Sequence, residues 1–516
     1  MSTRTVLPDW GASLAEKNRL RLPSLPRDIF LIILGYLDFM DIVYCRRVSR
    51  SWHSAFTNPH NLYSFLKWTF PFAREVRNLQ NDNPTRKGDL GMFSRDGFLR
   101  NVFDPVVSRY FHLLRGKPRS VEKYDVWPNY SDVVDPSCRC YPVHSWELHK
   151  SHANERLDFK LAYTFWTYED GLLVFPSTEK RCFLLVDLET NQTFTVPFAM
   201  KEKVIRRVRM QCRLLVIEWA EEKAFHWLND SDGVHRHFAS AFDIQPSSAG
   251  WEINFRNEWK IMFLGHPLGD RDRFYSSHTG THYVIYTWQP NRSLYTSEED
   301  APIESLFICD ISEPSDYRPS LDPAGNQKAS GGPFVVARFS FRDLDFYSVR
   351  QRGTPGMMRL DLNSKVGVLD ITENSCAMTT YPLTSYSIPL SSRVHVTSIP
   401  FIGHGPCWRR KVDITLPPYR GNCSMQVVPA GPMCDWYDCI SEVVDEQAQL
   451  GYTLHFGTTR RALDSVHLTI HTPKWRVEVE DEIASTLSWK GIIHGDERFI
   501  IGENHMREIV ILRFDK

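Results

Sequence analysis

Cysteine and histidine are the side chains here whose types suit a metal, and they fall in two groups. Cys138-Arg139-Cys140 with His144 form one; Cys423, Cys434 and Cys439 form the other. Thiolates and imidazoles suit zinc, but neither group has the paired C-x-x-C spacing of a zinc ribbon. Free thiols and no metal are the expectation. His278-Thr279-Gly280-Thr281-His282 sets two histidines four apart. A zinc-protease helix needs a glutamate after the first histidine as general base, and threonine stands there instead, in strand-like sequence. Gly403-His404-Gly405-Pro406-Cys407-Trp408 begins like a dinucleotide loop. Tryptophan takes the last glycine position and no helix follows, so it reads as a turn. The acidic run Glu298-Glu299-Asp300 reads as a solvated loop. No catalytic residue and no cofactor is expected.

The sharpest basic cluster, Lys203 to Arg213, holds Arg206, Arg207, Arg209 and Arg213. Read as one strand, it points Val208, Met210, Cys212, Leu214 and Val216 one way. Arg207, Arg209 and Arg213 then point the other way, towards solvent. Across the chain 61 Lys and Arg face 62 Asp and Glu, a net charge of −1. A nucleic-acid footprint needs a local excess of positive charge, and no nucleic-acid partner is expected. The eleven cysteines are an odd number without framework spacing. They read as reduced thiols, which places the protein in the cytoplasm and/or nucleus. Met1 to Trp10 lacks the apolar stretch of a secretory signal. The longest apolar run, Ile29 to Leu37 broken by Gly35, is far shorter than the ~18–20 residues of a membrane span, so no membrane partner is expected.

The elements that must position any site have two textures across 516 residues. Leu22 to about Ala73 reads as helix. From about Tyr163 onwards, β-branched and aromatic runs alternate with Gly, Pro, Asn and Asp, the pattern of strands and turns. Between them, Asp104-Pro105 to Leu114-Arg115-Gly116 carries a cap, a first-turn proline and a glycine stop, predicting a helix over 104–115. Ser312 to Pro333 reads as an exposed, mobile loop. Asp187, Asp243, Asp310 and Asp370 each follow apolar residues and precede one more apolar residue and a polar turn. Their spacing of roughly 60 residues matches propeller blades with loop insertions, six to eight over residues 120–516. Arg498 to Gly502 and Glu508 to Phe514 read as paired strands, one of which can close the ring with an N-terminal strand. An open pair of β-sandwiches is the alternative fold for this part.

At the N-terminus, Pro26 starts a helix in which Ile29, Phe30, Ile33, Leu34 and Leu37 line one face while Leu31 and Ile32 spread apolar surface to the other. Asp38 and Asp41 make an approximate capping box for a second helix, and Ser49 caps a third that presents Trp52 and Phe56. About fifty residues enclose too little volume to hide that much apolar surface, so a partner is expected to cover the excess.

Leu25-Pro26, the apolar helix, Leu37-Asp38-x-x-Asp41-Ile42 and Val48-Ser49-Arg50-Ser51-Trp52 together resemble an F-box. Asp28 stands for the usual glutamate, Phe39-Met40 where proline is common, and His53 for a basic residue. Phe70-Pro71-x-Ala73-Arg74-Glu75-Val76-Arg77 and Gly116 to Lys123 are similar to fungal F-box proteins that carry a propeller. The chain is thus expected to be an α+β multidomain protein. A tail spans 1–21, a helical module 22–70, a linker 71–119, and an all-β, propeller-like domain 120–516. The resemblance implies that Leu25, Pro26, Ile29, Phe30, Ile33, Leu34, Leu37, Val48 and Trp52 face a Skp-type adaptor or shape the helices that do. Through the adaptor a cullin joins, and the β-domain binds an unknown protein to be ubiquitinated, with no bond chemistry of its own. Two alternatives stay open: a propeller hydrolase with a helical cap, and an F-box protein acting outside the ligase.

Overall fold

The computed structural model describes residues 22–81, 92–126, 138–140, 165–177, 180, 182–227, 233–261, 273–289, 302–327, 331–351, 357–375, 393–402, 409–413, 424–426, 436–458, 465–489 and 492–515. Short helices open the chain: α1 (Arg27–Leu34), α2 (Phe39–Cys45), α3 (Arg50–Phe56), α4 (Pro59–Thr69), α5 (Arg74–Asn81) and the longer α6 (Met92–Leu113). Their starts follow the caps that the sequence announces. The Asp38 carboxylate accepts the Phe39 N–H at 2.7 Å and the Asp41 carboxylate accepts the Asp38 N–H at 3.0 Å, closing the capping box. The Ser49 hydroxyl accepts the Trp52 N–H at the head of α3. Asn58 does the same for His60 at the head of α4, where Pro59 fills the first position.

Helix α6 begins at Met92, well before the predicted start at Asp104, and carries Pro105 inside it. An interior proline costs about 3 kcal/mol. Here Leu99, Val102, Phe103, Val106, Val107, Tyr110 and Leu113 are all buried at three-to-four spacing, and that burial outweighs the cost. Asp104, read as a cap, pairs instead with Arg46, whose guanidinium lies over the Phe103 ring. Gly116 does stop the helix, at φ +60°, where a Cβ would meet the Glu478 carbonyl at 2.6 Å.

Among the described residues the remaining chain is a six-bladed β-propeller with two short helices, Phe341–Phe346 and Asp481–Ser485, between its strands. The first blade is Thr167–Glu169, Leu172–Ser177, Cys182–Asp187 and Gln192–Thr195. The second is Lys203–Gln211, Leu214–Glu221, His237–Ser247 and Gly250–Lys260, with Cys138–Cys140 pairing parallel along its first strand. The third is Arg273–His278, His282–Gln289, Ile303–Asp310 and Phe334–Phe339. The fourth is Met357–Asn363, Val368–Ser375, Arg393–Pro400 and Arg409–Asp413. The fifth runs from Ser424–Gln426 through Trp436–Asp445, Leu450–Thr458 and Ser465–His471 to Arg476–Val479. The sixth joins His494–Gly495, Phe499–Glu503 and Glu508–Arg513 to the early strand Ser120–Asp125. That strand lies antiparallel to the last one, Ser120 opposite Arg513 and Asp125 opposite Glu508, so the two ends of the β-domain close the ring.

The aspartate period is genuine for three blades and accidental for the fourth. Asp187, Asp243 and Asp310 occupy the third strands of their blades, whereas Asp370 lies in a second strand. Asp187 and Asp310 accept the N–H two residues on, at 2.9 Å each, and so form the turn that leaves the strand. Ser312 to Pro333 is partly anchored: Ser315 is buried, its N–H bonds the Arg256 carbonyl at 2.8 Å, and Ser320 N–H bonds Glu258.

The basic cluster is not one strand with a solvated face. Lys203–Gln211 ends at a two-residue turn, Cys212-Arg213, and Leu214–Glu221 runs back. A bulge between Ile205 and Arg207 breaks the alternation, and Arg206 and Arg207 are both buried. Arg207 donates to the Ser276 carbonyl at 3.0 Å and hydroxyl at 2.8 Å in the next blade. The turn holds Cys212 at φ +57° and Arg213 at φ +59°, as the hairpin twist demands but without glycine or asparagine. The Glu169 carboxylate offsets this strain by accepting both N–H groups, at 2.6 and 2.9 Å. Cys212→Asn relieves the left-handed strain and should raise stability by about 0.5–1 kcal/mol in urea unfolding. Glu169→Ala should lower it by about 1–3 kcal/mol.

Candidate functional site

The apolar face of the opening helix divides in two. Phe30 and Leu34 are buried in a core shared with α4, α6 and strands of the fifth and sixth blades. Leu25, Ile33, Leu37 and Trp52 are half-buried. Trp52 stacks on Phe56 with centroids 5.6 Å apart, and Phe56 meets Phe30 edge-on at 5.0 Å, so Trp52 shapes the module from inside. Pro26, Ile29 and Val48 face outward, Val48 with 61% of its surface exposed.

Three residues join them that the sequence reading did not place there. Ile32 is 61% exposed, Tyr36 87% and Tyr44 59%. Ile29, Ile32 and Tyr36 follow i, i+3, i+7, and this spacing was the signal that could have separated the outer stripe from the inner one. A foreign protein is not needed for all of the apolar surface that was expected to be left over. The chain's own α6 and propeller bury one side of the module. The stripe through Ile29, Ile32 and Tyr36, with Tyr44 and Val48, stays bare.

Where the helices meet the propeller, buried charges hold them together. Arg109, 2% exposed, donates to both Glu75 oxygens, at 3.0 and 2.6 Å, and lies 3.4 Å from Glu497. Glu497 also accepts the Arg74 N–H at 2.9 Å, at the start of α5, and the Tyr110 hydroxyl at 3.1 Å. One residue on, Arg498 donates to Asp496 at 2.6 Å and reaches Asp170 at 3.0 Å and Glu189 at 3.2 Å. Tyr168 completes this side by donating to Asp496 at 2.6 Å. Burial raises the Glu497 carboxyl above the ordinary carboxylate range, and the charges of Glu75 and Asp496 add to that against Arg109. Burial also opposes the Glu75 charge, but the hydrogen bond and charge of Arg109 outweigh it and hold this carboxyl low. Arg498 does the same for Asp496.

Beside this network lies a cavity of about 520 Å³, lined by residues including Arg74, Arg77, Tyr168, Asp170, His494 and Arg498. Burial and the Asp496 charge push the Tyr168 hydroxyl well above its ordinary range, so it stays protonated. Burial and nearby Arg209 hold His494 down to about 4, so its imidazole is neutral at pH 7. The mixed charges and neutral donors suit a polar group; the groups stand as structural pairs rather than as a poised acid and base.

The other sequence candidates are structural or lie outside the described residues. His278 is buried, its Nε2 paired with the Leu214 carbonyl at 3.0 Å, and burial with Arg209 beside it holds it down to about 3. His282 is buried, with Nδ1 2.9 Å from the Thr281 hydroxyl. Cys138, Cys140 and Cys439 lie in strands. His144, Cys423, Cys434, Glu298 to Asp300 and Gly403 to Trp408 fall outside the described residues. Among the described residues no group of three or more His, Cys, Asp or Glu is disposed to hold a metal.

Residues 22–63 match the family model described as F-box domain. No curated protein matches the chain. Among solved structures, a member of the DUF4221 family from Bacteroides vulgatus shares 10% identity over 77% of this chain and 98% of its own, with a TM-score of 0.30. An alpha-L-arabinofuranosidase from Lactobacillus brevis shares 9% over 60% and 92%, with a TM-score of 0.23. The catalytic domain of a Coprinopsis cinerea GH62 alpha-L-arabinofuranosidase shares 10% over 64% and 93%, also at 0.23. Likeness this slight carries no argument about chemistry.

Removing one partner from the junction leaves charge buried without compensation. Arg109→Ala should therefore cost about 3–5 kcal/mol in chemical denaturation. Arg109→Met with Glu75→Gln should cost less than the single change. Acid should weaken the fold through two histidines, His278, which is buried, and His494, which is half-buried at the cavity. The folded values of His278 and His494, about 3 and about 4, lie below the unfolded value near 6.5. The unfolded chain therefore binds these protons first. Stability falls from about pH 6.5 down to about pH 4, by roughly 1.4 kcal/mol per pH unit for each histidine. Urea midpoints at pH 7.5, 6 and 5 should show that slope, and His494→Gln should remove about half of it.

Proposed function

We propose, from the premise that the chain is an F-box protein carrying a six-bladed β-propeller, that it is the substrate-recognition subunit of a Skp–cullin–F-box ubiquitin ligase. The helical module, over about 22–70, docks the Skp-type adaptor, and the adaptor brings the cullin. The propeller, over about 120–516, holds the protein to be ubiquitinated, in the cytoplasm or the nucleus. The observation that carries this reading is the bare stripe of Ile29, Ile32, Tyr36, Tyr44 and Val48 on the module that matches the F-box domain. A run of large apolar side chains left uncovered beside a well-filled core is an interaction surface, and aliphatic and aromatic anchors of this kind carry most of the energy when helices dock.

The role asks for positioning and no bond chemistry from this chain. The buried Arg109–Glu75–Glu497 contacts fix α5 and α6 on the propeller, and the module packs on α6 through the shared core. A fixed orientation holds a bound substrate at high effective concentration near the charged conjugating enzyme.

The choice of variant decides whether the test is clean. Leu34 is buried, and a charge there would damage the module itself. Ile32 and Val48 are exposed, so Ile32→Glu and Val48→Glu should leave the thermal midpoint within a few degrees. Each should weaken adaptor binding by about 30-fold to 1,000-fold, the loss expected for one anchor. Titration of the intact chain against a purified Skp-type adaptor measures this, and unchanged affinity would overturn the reading. Adaptor binding without cullin capture by the ternary mixture would instead favour a role outside the ligase.

A further inference from the structure

The outer edges of the propeller blades are guarded in different ways. In the second, fifth and sixth blades the outermost strands expose charge: Glu252 and Lys260; Arg476 and Glu478; Lys123 and Asp125. The outermost strand of the first blade, Gln192–Thr195, is polar and is met by Gly250 of the next blade, whose Cβ position lies 2.6 Å from Gln192 and from Phe194. The third blade differs. Its outermost strand, Phe334–Phe339, exposes Phe334 by 52%, Val335 by 49% and Val336 by 37%. Among the described residues no strand pairs with its outer side. The register slips opposite Ile308 and Cys309, leaving Val336 as the extra residue of a bulge, and three successive apolar side chains reach solvent. An unpaired edge with apolar side chains is a template for another strand.

Charge and size narrow the occupant. Arg338 and Arg342, on the same strand and just past its end, are exposed and have no carboxylate partner among the described residues. The Arg338 guanidinium lies over Phe307, 5.3 Å from the ring centroid, and the Arg342 guanidinium lies 5.8 Å from that of Phe341. Both are held in place yet free to meet an anion. Six residues span about 20 Å, and an edge of that length buries well under the ~800 Å² per partner of a stable interface. A second copy of this large chain gains too little there. A short extended segment, whose backbone pairs along the whole edge, does not need more area.

We propose that the outer edge of the third blade, Phe334–Phe339, binds an extended peptide segment by strand addition. The segment alternates apolar residues over Phe334 to Val336 and places acidic residues against Arg338 and Arg342. The inference goes beyond the ligase reading, because the edge takes such a segment whether or not the helical module docks an adaptor.

The test pans a library of linear twelve-residue peptides on the intact chain and measures recovered peptides by fluorescence anisotropy. Recovered peptides should combine alternating apolar residues with Asp or Glu. N-methylation of alternate backbone amides should weaken them about tenfold or more, as loss of strand pairing requires. Val335→Lys, at an exposed position, should do the same, while Arg338→Glu with Arg342→Glu should shift recovery towards basic peptides. Adaptor affinity should stay unchanged in each variant, which separates this edge from the helical module and reports that the chain is folded. Four outcomes would overturn the proposal. They are no peptide recovered, peptides indifferent to N-methylation, equal binding to Val335→Lys, and a homodimer of the parent chain that Val335→Lys dissolves.

Discussion

The burial of Arg109 between Glu75 and Glu497 is the constraint on which the arrangement of the molecule depends. A guanidinium 2% exposed to water is tolerated only where carboxylates meet it with good geometry. One of those carboxylates comes from α5 and the other from the sixth blade, so the ion pair is satisfied only when the helices sit on the propeller in one orientation. Its specificity matters more than its net energy. Hydrophobic contact supplies the attraction, through a core that runs from Phe30 and Leu66 through Phe103 and Val106 to Tyr452 and Leu512. Apolar contact alone permits sliding; buried charge does not.

That shared core also explains why the helical module is two-sided. One side is needed by the chain itself and is filled by Phe30, Leu34 and Phe56. The other is surplus to folding and remains in water, with Ile32 and Tyr36 at its centre. Buried and exposed apolar residues thus alternate on the same short helix, separated by about a third of a turn. The propeller repeats the division. Ring closure removes one pair of edges, and on the third blade's outer strand three successive apolar side chains, Phe334 to Val336, face water.

Much of this was legible in the sequence because it depends on neighbours in the chain. The capping box at Asp38 and Asp41, the Ser49 cap and the stop at Gly116 are local hydrogen-bonding and steric requirements, and they stand where residue types placed them. Large β content and a ring closed by the C-terminal strands were also readable, since strand texture and pairing partners leave alternation in the sequence. The helix predicted over 104–115 starts earlier, at Met92, because the proline signal is local, while the burial that carries α6 across Pro105 is supplied by distant side chains. The basic cluster was misread for a related reason. A bulge and a glycine-free turn leave no mark in residue types, and the carboxylate of Glu169 that makes the turn possible comes from another blade.

The sequence by itself determined the texture: a helical opening that resembles an F-box, the caps of its short helices, and a β-rich remainder. Those follow from periodicity, caps and turn residues, all decided within a few positions along the chain. Only the tertiary structure decided which apolar residues are spent internally and which remain outside, because exposure depends on what else has already packed there. Phe30 and Ile29 are adjacent and alike in hydrophobicity, yet one lies in the core and the other in water. The difference is set by α6 and the propeller closing over one side of the helix, a fact about shape that no short stretch of sequence contains.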